Sequence, residues 1–103
     1  MTTDAKFAAS FKTLAHPRRA RLFRLLVTDP EAGRSFTALM SASGYRKAPL
    51  SHHLDIMERG GLIRRHRIGN AMTFMLTPGP LSAAMADAQR LASHATGPTR
   101  RAA

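Results

Sequence analysis

The sequence predicts a mainly helical domain with one β-hairpin, in the order α-α-α-α-β-β-α. Two observations support this fold class. Apolar residues recur at helical spacing over most of the chain, and near residue 70 they alternate on either side of a Gly-Asn pair. The chain has 103 residues, the size of one domain. We expect that domain to span residues 1–96 and a flexible basic tail to occupy 97–103.

A histidine-proline pair separates the first two helices. The first is predicted over 4–15, with Asp4 as its cap and its apolar side chains on one face. A residue before proline avoids the helical region, whereas proline suits the first turn of a helix. The second helix therefore begins at Pro17 and ends near Thr28, and His16 caps it.

Two helices follow in the middle of the chain. Ser35 is a good cap for the third, which Gly44 ends. The fourth is predicted over 48–59. Its inward-facing residues recur at i, i+4 and i+7: Leu50, Leu54 and Met57.

The hairpin and a last helix complete the domain. Strands are predicted over 62–67 and 72–77, because apolar and polar residues alternate there and Gly69-Asn70 between them favours a tight turn. The last helix is predicted over 81–94, after a Pro-Gly-Pro break.

Composition narrows the function classes. Sixteen basic residues against six acidic ones give a formal charge of +10, which indicates a polyanionic partner, either nucleic acid or an acidic membrane surface. No apolar run is long enough to span a membrane and no secretory signal is evident, so we expect a cytoplasmic protein. Without cysteine, disulfides and thiolate metal sites are excluded.

The third and fourth helices, joined by a tight turn and followed by the hairpin, form a winged helix-turn-helix pattern. The second helix of such a motif enters the DNA major groove. The outer face of the fourth helix is small and polar, as base readout requires, and basic residues for phosphate contacts flank it. The candidate DNA-binding residues are Arg18, Arg19, Arg46, Lys47, Ser51, His52, His53, Asp55, Arg65, Arg67 and Asn70. His53 could equally pack between helices. Arg18 and Arg19 could equally lie on a solvated surface without contacting DNA.

Three segments resemble the ArsR/SmtB family of bacterial repressors: LAHPRR at 14–19, PLSHHL at 49–54 and ERGGLI at 58–63. The resemblance covers about residues 5–94. It implies a homodimer formed through the first and last helices, an imperfect inverted repeat in double-stranded DNA as the operator, and repression relieved by an inducer. The dimer residues are then Phe7, Phe11, Leu14, Leu81, Met85, Ala88 and Leu91.

The chain departs from the metal-sensing relatives. Ser35 and Thr37 stand where one group has cysteines, and the C-terminal region offers only Asp87 and His94, which do not share a helix face. We therefore predict no metal site and no cofactor. The inducer stays open: a small organic ligand, a partner protein, or none.

The sequence thus predicts a sequence-specific, homodimeric regulator rather than an enzyme. The adjacent residues Ser51, His52 and His53 do not face one another on a helix, so they do not form a catalytic group. Two alternatives remain. One is a winged-helix protein-interaction module with weak or nonspecific DNA binding, and the other is a charge-driven binder of nucleic acids or membrane surfaces.

Overall fold

The computed structural model describes residues 2–95, and the predicted tail at 97–103 lies outside them. The fold class is confirmed: the described residues form five helices and one small antiparallel sheet, whose hairpin lies between the fourth and fifth helices. The helices are α1 (Thr3–Leu14), α2 (Pro17–Val27), α3 (Phe36–Ser43), α4 (Lys47–Arg59) and α5 (Pro80–Ala95). The strands are β1 (Arg34–Ser35), β2 (Ile63–Ile68) and β3 (Ala71–Leu76).

The sheet has one strand more than predicted. Its order is β1-β3-β2, and Arg34 pairs with Phe74. A strand of two residues is too short to show alternation, so no sequence pattern predicted it. Gly33 precedes it with a φ of 69°, and a Cβ there would lie 2.5 Å from the carbonyl oxygen of Phe74. Only glycine allows the two backbones to approach so closely.

The predicted caps are confirmed at two of three helices. The Nδ1 atom of His16 accepts a hydrogen bond from the backbone N–H of Arg18 at 3.1 Å, at the start of α2. Ser35 caps α3, and Gly44 ends it in the left-handed conformation.

The cap predicted for α1 was wrong. Thr2 caps the helix through its side-chain oxygen, which accepts from the N–H of Ala5 at 3.1 Å. Asp4 lies in the first turn instead, where its negative charge interacts favourably with the positive end of the helix dipole. α4 begins at Lys47, one residue before the predicted start.

One apolar core joins α2, α3 and α4 to the sheet. Its fully buried side chains are Leu22, Leu26, Leu39, Leu50, Leu54, Met57 and Ile63. Three of them come from α4, so that helix is fixed in position along its whole inner face. No helix in the described part of the chain is long and apolar enough to cross a membrane.

Candidate nucleic-acid interface

The α3–α4 turn presents the N-terminus of α4 to solvent. Gly44 has a φ of 77°, and the backbone N–H of Tyr45 donates to the side-chain oxygen of Ser43 at 3.1 Å. Arg46 occupies the N-cap position of α4 but makes no capping hydrogen bond with its side chain. The first amides of α4 are therefore available to an anion, and a phosphate group suits them.

The outer face of α4 carries polar and charged groups. Its exposed residues are Lys47, Ala48, His52, Asp55 and Arg59. Ser51 is half-buried on the flank nearer the hairpin, where it lines a cavity of about 280 Å³ with Lys47 and Asp55. Five of the six contacts predicted between Arg46 and Asp55 thus lie along the outer side of α4 or at its start, and the sixth, His53, is buried.

Arg18 is exposed beside the same turn. Its guanidinium lies 5.3 Å from the ring centroid of Tyr45. The cation–π contact holds the charge near the start of α4. Tyr45 was not singled out from the sequence, and no sequence signal linked it to a residue 27 positions earlier.

Arg19 and His53 lie beneath this surface. Arg19 donates through Nε to the carbonyl oxygen of Thr13 at 2.6 Å, and its Nη1 lies 3.3 Å from Nδ1 of His53. Only 5% of His53 is exposed, and the His16 ring is 4.6 Å away, centroid to centroid. Of the two alternatives for His53, the structure favours helix packing.

Burial lowers the pKa of His53 below its usual value of 6.5, and electrostatic repulsion from the neighbouring side chains of His16, Arg19, His52 and Arg18 lowers it further. Arginine only donates hydrogen bonds, so Nδ1 must be the unprotonated nitrogen when Arg19 binds it. The neutral ring therefore connects α4 to the junction of α1 and α2.

The hairpin extends from the core as a wing. Ile68 pairs with Ala71, so the turn consists of Gly69 and Asn70, and Gly69 has a φ of 62°. Every residue of β2 after Ile63 is exposed, as is Asn70 at the tip. Arg67 and Asn70 are therefore free to approach DNA.

Arg65 behaves differently from the other wing arginines. It lies in the wing strand but binds Asp55 and Glu58 of α4, at 2.7 and 2.8 Å. Glu58 was not singled out from the sequence. The signal was present, because residues three apart on a helix share a side and Asp55 and Glu58 are so spaced.

The seven predicted dimer residues differ in exposure: Phe7 and Leu14 are half-buried, Leu81 is buried, and Phe11, Met85, Ala88 and Leu91 are exposed. Leu81 is 4% exposed and belongs to the core of its own chain. Phe11, Met85 and Leu91 are 46%, 46% and 68% exposed, although α1 and α5 pack against each other. These three apolar side chains are left uncovered within the described part of the chain.

The described residues contain no group of three or more His, Cys, Asp or Glu side chains arranged to hold a metal ion. Asp87, considered above as a ligand, forms an ion pair with Arg90 on the same helix.

Comparisons with known proteins identify the family. Residues 14–66 match the family model of a helix-turn-helix domain. The HTH-type transcriptional regulator Rv0081 of Mycobacterium tuberculosis is 36% identical over 85 residues, which cover 82% of this chain and 72% of that protein. The chain therefore belongs to the helix-turn-helix domain family, whose members are DNA-binding transcription regulators rather than enzymes.

Solved structures agree on the fold. The crystal structure of M. tuberculosis Rv0081 is 34% identical, with a TM-score of 0.67 over 84% of this chain and 85% of that one. The structure of a winged helix-turn-helix domain of Mb0332 from Mycobacterium bovis is 23% identical, with a TM-score of 0.70 over 95% of this chain and 89% of that one. That domain is described as homodimeric and as a possible ArsR-family regulator. The winged helix-turn-helix fold that the resemblance to the ArsR/SmtB family implies is thus confirmed.

Proposed function

We propose that the protein is a sequence-specific regulator that binds an inverted-repeat operator as a homodimer and represses transcription. The observation that carries the proposal is the exposed outer face of α4, whose inner face is fixed by fully buried core residues. A rigid polar helix face with an open, positively flanked N-terminus suits insertion into the major groove.

Phosphate contacts come from the residues around that face. Arg18, Arg46 and Lys47 are exposed near the start of α4, and Arg67 is exposed on the wing. Their charges fix the position and orientation of the protein on the duplex without reading sequence. Ser51 and His52 lie between them on α4 and are the candidates for contact with base edges.

The uncovered side chains of Phe11, Met85 and Leu91 support a homodimer formed through α1 and α5. Large apolar side chains exposed on two helices that pack against each other favour an interaction surface there. The Mb0332 domain, described as homodimeric, has the same fold. A two-fold dimer matches an operator with two inverted half-sites, and its occupancy of promoter DNA excludes polymerase.

Relief of repression is proposed to need no metal. Ser35 engages its side chain as the cap of α3, and Asp87 is paired with Arg90. The releasing signal is then a small organic ligand or a partner protein, or the protein responds to no inducer.

Binding to the promoter region of its own gene tests the DNA-binding proposal. Affinity should fall steeply with salt, because each phosphate contact releases counterions. Arg46→Ala should reduce the slope of log K against log salt by about 1. Arg24→Ala is the matched control, since Arg24 is an exposed arginine beside Met85 of α5, and it should leave the slope unchanged. Equal affinity for the promoter and for random DNA would contradict sequence specificity.

Sedimentation equilibrium tests the dimer. The wild type should have the mass of two chains, and Leu91→Glu should shift it toward the monomer, because the interface would bury a carboxylate. Ile68→Glu is the control, since Ile68 is an exposed apolar residue of the wing, 53% accessible. A monomeric wild type, or equal masses for the two variants, would contradict the proposed interface.

A further inference from the structure

An ion-pair network joins the wing to the outer face of α4. Arg65 of β2 donates from Nη2 to Oδ1 of Asp55 at 2.7 Å and from Nε to Oε1 of Glu58 at 2.8 Å. Its guanidinium also lies 5.3 Å from the ring centroid of Phe74. The network is the only salt-bridged connection between two elements within residues 2–95.

The network contributes little to the stability of the fold. The side chains of Arg65 and Glu58 are each 36% exposed and that of Asp55 is 56% exposed, so water screens both pairs. Its main effect is geometric. The planar guanidinium binds two carboxylates that lie one helical turn apart on α4. The two hydrogen bonds restrict the rotamers of both carboxylate side chains and fix the position of the wing relative to α4.

Asp55 occupies an unusual position for an acidic residue. It lies on the face of α4 proposed to enter the major groove, where phosphates would repel a bare carboxylate. The positive charge of Arg65 offsets the negative charge of the carboxylate. Because Arg65 donates its hydrogen bond to Oδ1, the second carboxylate oxygen, Oδ2, is left for another donor. The exposed remainder of the carboxylate can only accept hydrogen bonds.

Few base edges in the major groove donate to such a group. Guanine presents the acceptors N7 and O6, and adenine presents the acceptor N7 beside its amino donor. Both acceptors repel a carboxylate. Cytosine offers its N4 amino group without an acceptor on its own edge, and carboxylates pair with it.

We propose that Asp55 determines specificity by accepting a hydrogen bond from N4 of one cytosine in each half-site. Arg65 is then a positioning residue that orients Asp55 and holds the wing, not an anchor for phosphate. This inference rests on the proposed DNA-binding function and names one base that the recognition helix reads.

Selection from a randomised operator library, followed by competition binding, tests the inference. Wild type should prefer cytosine at one position of each half-site by about 5- to 100-fold, the range of a good base contact. Asp55→Ala should lose the preference. Asp55→Asn should move it to adenine, because an amide pairs with N6 and N7 of that base.

Arg65→Ala and Arg64→Ala form a matched pair. Both remove one positive charge from β2, and Arg64 is exposed on the opposite side of the strand. Arg64→Ala should weaken binding to all sequences alike and leave the base preference intact. Arg65→Ala should reduce the cytosine preference itself, because Asp55 is no longer oriented.

The outcomes separate the two levels of the argument. A wild type that selects no sequence overturns the proposed function. A wild type that selects an operator while Asp55→Asn and Asp55→Ala keep its base preference overturns the role of Asp55. Equal base preferences for Arg65→Ala and Arg64→Ala overturn the positioning role. Circular dichroism of each variant confirms that it is folded, and Asp55→Asn keeps the side-chain shape if Asp55→Ala does not fold.

Discussion

The buried histidine of α4 should make the protein sensitive to mild acid. His53 accepts a hydrogen bond from Arg19 only in its neutral form, and its pKa is below the usual value of 6.5 because of burial and neighbouring positive charges. Between that lowered pKa and 6.5 the unfolded chain binds more protons than the native one. The free energy of unfolding should therefore be fully retained above pH 6.5 and fall as the pH drops below it.

The magnitude follows from one proton per chain. Within that window the free energy of unfolding should decrease by up to about 1.4 kcal/mol per pH unit. Protonation also turns Nδ1 into a donor facing the guanidinium of Arg19, so the contact at 3.3 Å becomes repulsive.

Urea unfolding between pH 5.5 and 7.5, at one protein concentration, measures the effect. His53→Asn keeps an acceptor near Nδ1 but does not titrate, so its stability should depend less on pH than that of the wild type. His94→Asn, at an exposed position of α5, is the control and should keep the wild-type dependence. If His53→Asn and the wild type show the same slope, the explanation is wrong.

Substitutions at three further places in the fold test the packing, each by urea unfolding. Gly33→Ala should lower the free energy of unfolding more than Gly44→Ala. Both glycines have a positive φ, which costs an alanine about 1–2 kcal/mol, but only at Gly33 would the added Cβ also clash with a backbone carbonyl. Equal losses for the two variants would contradict this. His16→Ala should cost about 1 kcal/mol through the lost α2 cap, and His16→Asn should cost less. Leu22→Ala, at a fully buried site, should cost about 2–5 kcal/mol; a loss below 1 kcal/mol would contradict its place in the core.

The sequence predicted the elements whose signals are local. Leu50, Leu54 and Met57 define the inner face of α4 by spacing alone, and all three are buried as expected. The Gly-Asn pair located the wing turn at Gly69-Asn70. The strand β1 was missed because it depends on pairing with Phe74, some 40 residues later, and not on a pattern of its own.

The candidate site was less predictable where a side chain had to choose between partners. Arg65 was expected at DNA, and Arg19 either at DNA or on a solvated surface, because both lie in basic segments. The structure gives each a partner within the chain: Thr13 and His53 for Arg19, and acidic residues of α4 for Arg65. The net charge of the sequence includes these arginines, although each is paired within the fold. Tertiary contacts determine which basic side chains remain available to a polyanion.

These two arginines also hold the recognition helix at both sides. Arg19 binds the carbonyl oxygen of Thr13 near the end of α1 and contacts His53, so it connects α4 to the helix that carries Phe11 of the proposed dimer surface. Arg65 connects α4 to the wing. In the proposed dimer, formed through α1 and α5, the distance between the two copies of α4 then depends on how α4 is attached to α1. The contacts of Arg19 with Thr13 and His53 make that attachment. Because half-sites must lie about 34–36 Å apart to meet two such helices on one face of DNA, a rigid junction at Arg19 is what would restrict this protein to a single operator spacing.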